Sequence, residues 1–248
     1  MVKFWRNIRR KLIEQGSLKR YLFYAVGEIL LVMIGILLAL QVNNWNENRK
    51  NITLLKSYTN SLIQDLKQDA IVLNSIIDFA DQDNIVLKHL TDRLSSPYSN
   101  FDTLRKITRY ELPIDYKVYR PPNNKTLLAM QSNGIVEYFD KETYNYLVEL
   151  QGSQNIVESQ TKLQISSHQK QAEYLTSKYT LNGYNVIKGP LLEQSWRNVD
   201  ADDLFRRVES FMATKKFMNT YGNINRRELL KLTEKTLSRL LEIQTKND

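Results

Sequence analysis

The stretch Tyr24–Glu47, "YAVGEILLVMIGILLALQVNNWNE", decides how the chain is read. It is apolar almost throughout, carries one carboxylate, Glu28, and stops abruptly in asparagines around Trp45. The run from Leu22 to Val42 is 21 residues long. At about 1.5 Å per residue a helix of that length spans roughly 31 Å, the hydrocarbon thickness of a bilayer. A core helix of a soluble protein seldom runs so far without a polar face. A secretory signal has a shorter apolar region, about 7–15 residues, followed by small residues at a cleavage site, and Gln41-Val42-Asn43 is a poor one. Residues 22–42 therefore read as an uncleaved transmembrane anchor.

The flanks orient it. Residues 1–21 carry Lys3, Arg6, Arg9, Arg10, Lys11, Lys19 and Arg20 against one acid, Glu14, whereas the other side offers Arg49 and Lys50 beside Glu47. Basic residues stay preferentially on the cytoplasmic side. The expected topology is a cytoplasmic N-terminus in the inner membrane, with residues 43–248 on the periplasmic side. Trp45 and the tyrosines near Tyr21 suit the two interfacial belts.

The same partition explains the charge. Of the net +8, most lies in residues 1–21, while residues 43–248 hold 28 bases and 25 acids. The partner implied is an anionic headgroup surface, at about 1 kcal/mol per base, and not nucleic acid. Residues 3–21 also show Phe4, Trp5, Ile8, Leu12 and Ile13 on one side of a short amphipathic helix. The same residues serve equally as a topology signal, and both readings stand. There is no cysteine, so disulfides, thiol catalysis and thiolate zinc are excluded.

Beyond the anchor the periodicity is helical. Leu55, Tyr58, Leu62, Leu66, Ala70, Leu73, Ile77, Ala80, Leu87, Leu90 and Leu94 form a stripe without Gly or Pro. Nothing between Val42 and Leu54 prevents this helix from continuing out of the anchor, and "DFADQDN" at 78–84 is where it would kink. Residues 96–124, with Pro113, Pro121 and Pro122, form the main irregular connection, with a short helix near Asp102–Tyr110. A helix over 125–132 ends at Asn133-Gly134. Asp140 caps a helix carried by Tyr144, Leu147, Val148, Ile156, Leu163, Leu175 and Tyr179, whose polar middle predicts a solvated or interrupted turn. Asp200 caps another through Phe205, Val208, Phe211, Met212 and Phe217, which Gly222-Asn223 breaks or bends before a last face of Leu229, Leu237, Leu240 and Leu241. The best strand candidate, "YKVYR", is short. The fold class predicted is all-α: a transmembrane helix followed by an elongated antiparallel helical bundle, in three parts, 1–21, 22–42 and 43–248.

No catalytic constellation, phosphate loop or metal motif stands out, so no enzymatic role, cofactor or metal is expected. His89 and His168 read as exposed helical residues. Asp78, Asp81 and Asp83 lack the glycine and distal glutamate of a calcium loop, and Asp200, Asp202 and Asp203 suit a helix N-terminus. Tyr110, Tyr116 and Tyr119 in the connection read as packing residues, with a binding surface as the alternative.

Glu28 lies about 9 Å into the bilayer, where a carboxylate costs up to about 3 kcal/mol and usually faces protein. Gly35 and Ala39 fall on the same helical face in a small-x-x-x-small pattern that permits close helix approach. The stripe Glu28, Gly35, Ala39 reads as an association face for its own copy or another membrane protein; a protonated Glu28 snorkelling toward the headgroups is the alternative.

The residues Tyr24, Gly27, Glu28, Gly35, Gln41, Asn43, Asn44, Trp45, Asn46 and Glu47 closely resemble the anchor signature of an uncharacterised family of single-pass membrane proteins of Bacteroidota. "SYTNSLIQDLKQD" and "TLLAMQSNGIVEYF" are also similar to that family. The resemblance implies an inner-membrane protein and brings no activity and no site residue. Two roles follow: a membrane-anchored interaction or scaffold protein, or a periplasmic ligand-sensing module. Residues 1–21 are too few for an output domain, so a sensor would act through a separate membrane partner.

Overall fold

The structure, a computed structural model, describes residues 18–118, 120–181 and 186–247, with the backbone alone at Leu18, Arg20, Tyr21 and Asn247. Six α-helices are present among them: α1 Leu18–Leu94, α2 Phe101–Tyr110, α3 Lys125–Ser132, α4 Lys141–Thr176, α5 Pro190–Ser195 and α6 Ala201–Asn247, with a 3-10 turn Ile135–Tyr138 before α4. No strand occurs among the described residues, so "YKVYR" is not one; its Tyr119 lies outside them. The all-α expectation is met.

The chain divides into two units, Met1–Leu55 and Lys56–Asp248. The described part of the first is the N-terminal portion of α1, the one described helix long and apolar enough to cross a membrane. Its apolar side chains from Leu22 to Val42 are exposed, with partial cover at Tyr24, Ala25 and Glu28. The helix assignment continues without interruption through 77 residues, so neither residues 43–54 nor the polar run 78–84 breaks it.

The second unit is a bundle of α4, α6 and the part of α1 from Lys56 onward. Hydrogen bonds fix the directions. Asn60, Asp83 and Asn84 of α1 meet Gln244, Asn219 and Thr220 of α6. Asp140, Gln160 and Tyr174 on the α4 side meet Arg239, Asn225 and Arg207. In both pairs the α6 number falls, over the length of the contact, as the partner's rises, so α6 runs antiparallel to both neighbours.

The expected caps are present. Asp140 accepts the Thr143 N–H at 3.0 Å and Asp200 accepts those of Asp202 and Asp203 at 3.0 and 3.2 Å, satisfying amides that a helix start leaves unpaired. Asn100 does the same for α2 through Thr103. Gly134 has φ 68°, the left-handed value that ends α3 cheaply.

One expectation fails, and one of two alternatives falls away. Helix α4 has no interrupted middle; it is continuous over 36 residues. Its buried face is Thr143, Leu147, Leu150, Gln154, Val157, Thr161, His168 and Leu175, and Tyr144, Val148, Ile156 and Leu163 of the predicted stripe point outward. Nor does Gly222-Asn223 break α6. Gly222 clears space along the helix: the Arg226 guanidinium lies 2.7 Å from where a Cβ would stand.

The core changes character along the bundle. At one end Leu90, Ile107, Trp196, Leu204 and Phe211 lie in one apolar cluster. Leu62, Leu66, Leu127, Met130, Leu147, Leu150 and Leu240 are buried in the sequence neighbourhood of the other end. Between them polar side chains join the buried set, Asp69, Asp83, Gln154, Thr161, His168, Lys215, Asn219, Asn223 and Arg226, beside apolar residues such as Leu73, Ile77, Val157 and Met218.

The register of α4 is directly measurable. Leu150 is 1% exposed and Leu163 is 73% exposed. Leu150→Ala should cost about 2–5 kcal/mol in urea unfolding, as buried leucine truncations do, and Leu163→Ala should stay within about 0.5 kcal/mol of the parent.

Candidate functional site

The anchor stripe is placed first. Seven- and four-residue steps put Glu28, Gly35 and Ala39 on one face of α1. Gly35 and Ala39 are exposed and Glu28 is partly covered. A Cβ built on Gly35 would meet no atom within 4 Å. Trp45 and Lys19 are exposed. Lys3, Arg6, Arg9, Arg10 and Lys11, with the amphipathic segment they belong to, lie outside the described residues, as does the side chain of Arg20.

The second cluster is one that sequence reasoning missed, the polar waist of the bundle. Its origin is the connection. Pro113, Pro121 and Pro122 disfavour helix at and just before their own positions, and the connection, in its described residues 112–118 and 120–124, lies along the bundle outside any helix. Contacts with α1 trace its path: Glu111 pairs with Arg93, Lys117 with Ser75, the Asn123 amide with Asp69 and Thr126 with Asp65. Non-helical backbone packed on helices needs partners for its own polar groups. Lys215 of α6, with 0% exposure, supplies two, donating to the carbonyls of Pro113 at 2.5 Å and Asp115 at 2.7 Å. Its remaining charge contact is Asp83 of α1 at 3.2 Å, and Asp83 also accepts from Asn219 at 2.6 Å. Burial pushes the Lys215 pKa down while Asp83 and Asp115 oppose the shift. An ammonium has three donors, and here three acceptors surround it, so Lys215 is a bracket and not a nucleophile.

One turn further along, Asn223 donates to the Ile77 carbonyl at 3.0 Å and to Asp81 at 2.8 Å. Asp81 also pairs with Arg227. Of the acidic run, Asp81 and Asp83 are thus bound to α6, and Asp78 is exposed. Asp203 is held well below the usual carboxylate range by hydrogen bonds from Lys178, Tyr179 and Arg207. Among the described residues no group of three His, Asp or Glu could hold a metal.

The histidine expectation is half overturned. His89 is exposed, but His168 is 1% exposed, and neither ring nitrogen has a hydrogen-bond partner. Its ring packs against Phe211 at 4.8 Å and the edge of Tyr116 at 6.1 Å. Burial, reinforced by Lys215, lowers its pKa to about 4. The sequence signal was its place seven residues from both Thr161 and Leu175 on the buried face. Tyr116 of the tyrosine cluster therefore packs inward, held also by Gln169; Tyr110 is exposed beneath the Arg109 guanidinium.

An open groove of about 1000 Å³ lies along the apolar end, lined by Leu94, Phe101, Phe205, Met212, Phe217 and Tyr221 among others. Phe205 and Phe217, read from the sequence as core, are more than half exposed there. They follow the helical period but lie on its rim.

These features define an all-helical protein with one helix fit by length and composition to cross a membrane and a helical unit with a polar waist. Residues 28–148 match the profile of DUF6090, described as a family of unknown function. The match starts at Glu28, takes in the connection and α3, and ends early in α4. No curated protein and no solved structure matches the chain.

Asp69 gives the waist a pH signature. Burial, with Asp65 adding to it, raises its pKa to about 6 from 3.8 against the opposing Asn123 amide bond. Such an acid favours the fold fully below its unfolded pKa, and the contribution is lost as pH rises through about 6. That gap corresponds to roughly 3 kcal/mol. Asp69→Asn should remove it: in urea unfolding the variant's stability relative to the parent should rise by about 3 kcal/mol between about pH 3.5 and pH 7.

Proposed function

We propose that this chain is a membrane-anchored interaction protein without catalytic activity or cofactor. Residues 22–42 hold it in the inner membrane, residues 1–21 lie on anionic headgroups at the cytoplasmic face, and residues 43–248 work on the periplasmic side. The stripe Glu28, Gly35, Ala39 packs against another transmembrane helix, its own copy or a different membrane protein. The observation that carries this reading is the anchor's open surface. An 18-residue apolar window has none of its residues buried by the rest of the chain, unlike a core helix, and Gly35 leaves room for close approach. The resemblance to single-pass Bacteroidota proteins supports the same placement.

A second reading, the ligand-sensing module, rests on the groove between α1, α2 and α6. Its volume of about 1000 Å³ is at the upper end for small-molecule sites. The two readings separate by where binding occurs.

The test uses the full chain in native membranes with a photo-crosslinker in the anchor. The parent should give a defined crosslinked species. Glu28→Gln should weaken it, and Gly35→Ile should reduce it about tenfold or more. Because an added side chain at Gly35 meets nothing within its own chain, such a loss points to a partner. Association of both variants at the parent's level would refute the stripe as an interface.

A further inference from the structure

The Tyr116 ring of the non-helical connection stands against His168, and the connection around it is fastened from three sides. Lys215 of α6 holds the carbonyls of Pro113 and Asp115. Lys117 reaches the carbonyl of Ser75 on α1 at 3.2 Å, as well as its hydroxyl. Gln169 of α4 donates to the Tyr116 hydroxyl, and the Tyr116 ring stands edge-on to His168, 87° between planes.

The fastening on the α4 side depends on a neutral imidazole. Protonated histidine carries two N–H donors and a charge, and buried charge needs partners. The groups facing His168 supply no free counter-charge. From α6 come Phe211 and the cation Lys215; from α1, Asp83 is already engaged with Lys215 and Asn219; from the connection, Tyr116 presents its ring edge, and the Asp115 carbonyl is taken by Lys215. On α4 itself, Ala172 is apolar, and Gln164, one turn before, has a buried Oε1 without a hydrogen-bond partner, an acceptor for one of the two N–H groups and no counter-charge. The other N–H and the charge are left to water, and of the surrounding walls the strap is the one without helical hydrogen bonds to break.

We propose that His168 is a proton-operated release for the strap Leu112–Val118: on taking up a proton it expels Tyr116, and the strap leaves α4 while the long helices remain folded. The direction follows from linkage. A base whose pKa is depressed by folding supports the closed form above its ordinary value and loses that support as pH falls through the folded one, here about 4. The function served is control of one bundle face by acid: opening exposes Tyr116 and the polar waist, while the helix caps and the apolar ends stay as they are.

The chain has no cysteine and two histidines, which makes the experiment clean. The full-length protein in detergent micelles carries a nitroxide on Val118→Cys, an exposed strap position. Histidine-labelled NMR follows His168 separately from the exposed His89. The expected result is a several-fold shortening of the nitroxide correlation time, its midpoint coinciding with the His168 titration between the closed-form value of about 4 and the ordinary 6.5, while far-ultraviolet circular dichroism keeps its helical signal. In His168→Phe and His168→Gln the nitroxide should stay immobile across that range, and Asp69→Asn, at the connection's other end, should leave the transition in place. The proposal is overturned by a transition that persists in the His168 variants, which would assign it to another group. It is equally overturned by a nitroxide that stays immobile while His168 titrates, or by simultaneous loss of helix. Should neither His168 variant fold, the coincidence or separation of the two parent titrations decides.

Discussion

A non-helical segment laid lengthwise on a helical bundle needs side-chain partners for the backbone polar groups it turns toward the helices. That constraint organises the second unit. Lys215 answers it most directly, joining two strap carbonyls to Asp83 on the opposite helix. Once an ammonium is buried at that level, a carboxylate must face it, and Asn219 is recruited to complete the carboxylate's shell. Asp69 meets the same demand at the other end of the strap, accepting the Asn123 amide with both oxygens at 3.1 Å. The polar waist is therefore the counterpart of the prolines.

Such a waist is costly in solvation and valuable in register. Burying an ion pair gains little over an apolar filling, and breaking one costs several kcal/mol. Apolar ends tolerate sliding by a helical turn more readily than a waist in which Asp81, Asp83, Asn219 and Asn223 each have a named partner. His168 is the exception, a polar ring supported only by packing, and that is why the strap's contact with α4 depends on its protonation.

The helices and their caps were legible in the sequence because they are local. Asp140, Asp200 and Gly134 act within four residues, and the α1 stripe from Leu62 to Leu90 needs only its own period. The long apolar N-terminal helix was legible because length and hydropathy suffice to mark one. The buried face of α4 was not, because the rule that apolar residues mark the inside fails where the partner is an extended strap: Gln154, Thr161 and His168 are inside while Ile156 and Leu163 are outside. Lys215 was hidden for the same reason, although it stands four residues after Phe211 and seven after Val208, on the buried face. The missing information was long-range: that residues 113 and 115 would lie over residue 215. Glu28, Gly35 and Ala39 on the N-terminal helix show the opposite case for geometry alone. They could be named from spacing, because a single helix fixes which positions share a face.

The neighbouring lysines Lys215 and Lys216 allow the most direct test of this account. Lys215 is 0% exposed and bonded to the strap, while Lys216 is exposed on the groove side. Equilibrium urea unfolding of Lys215→Met should show a loss of about 3–5 kcal/mol, because it leaves Asp83 charged, buried and short of a partner. Lys216→Met should remain within about 0.5 kcal/mol of the parent. A Lys215→Met protein as stable as the parent, or equal losses in the two variants, would contradict the claim that the strap's carbonyls and Asp83 set the architecture of the waist.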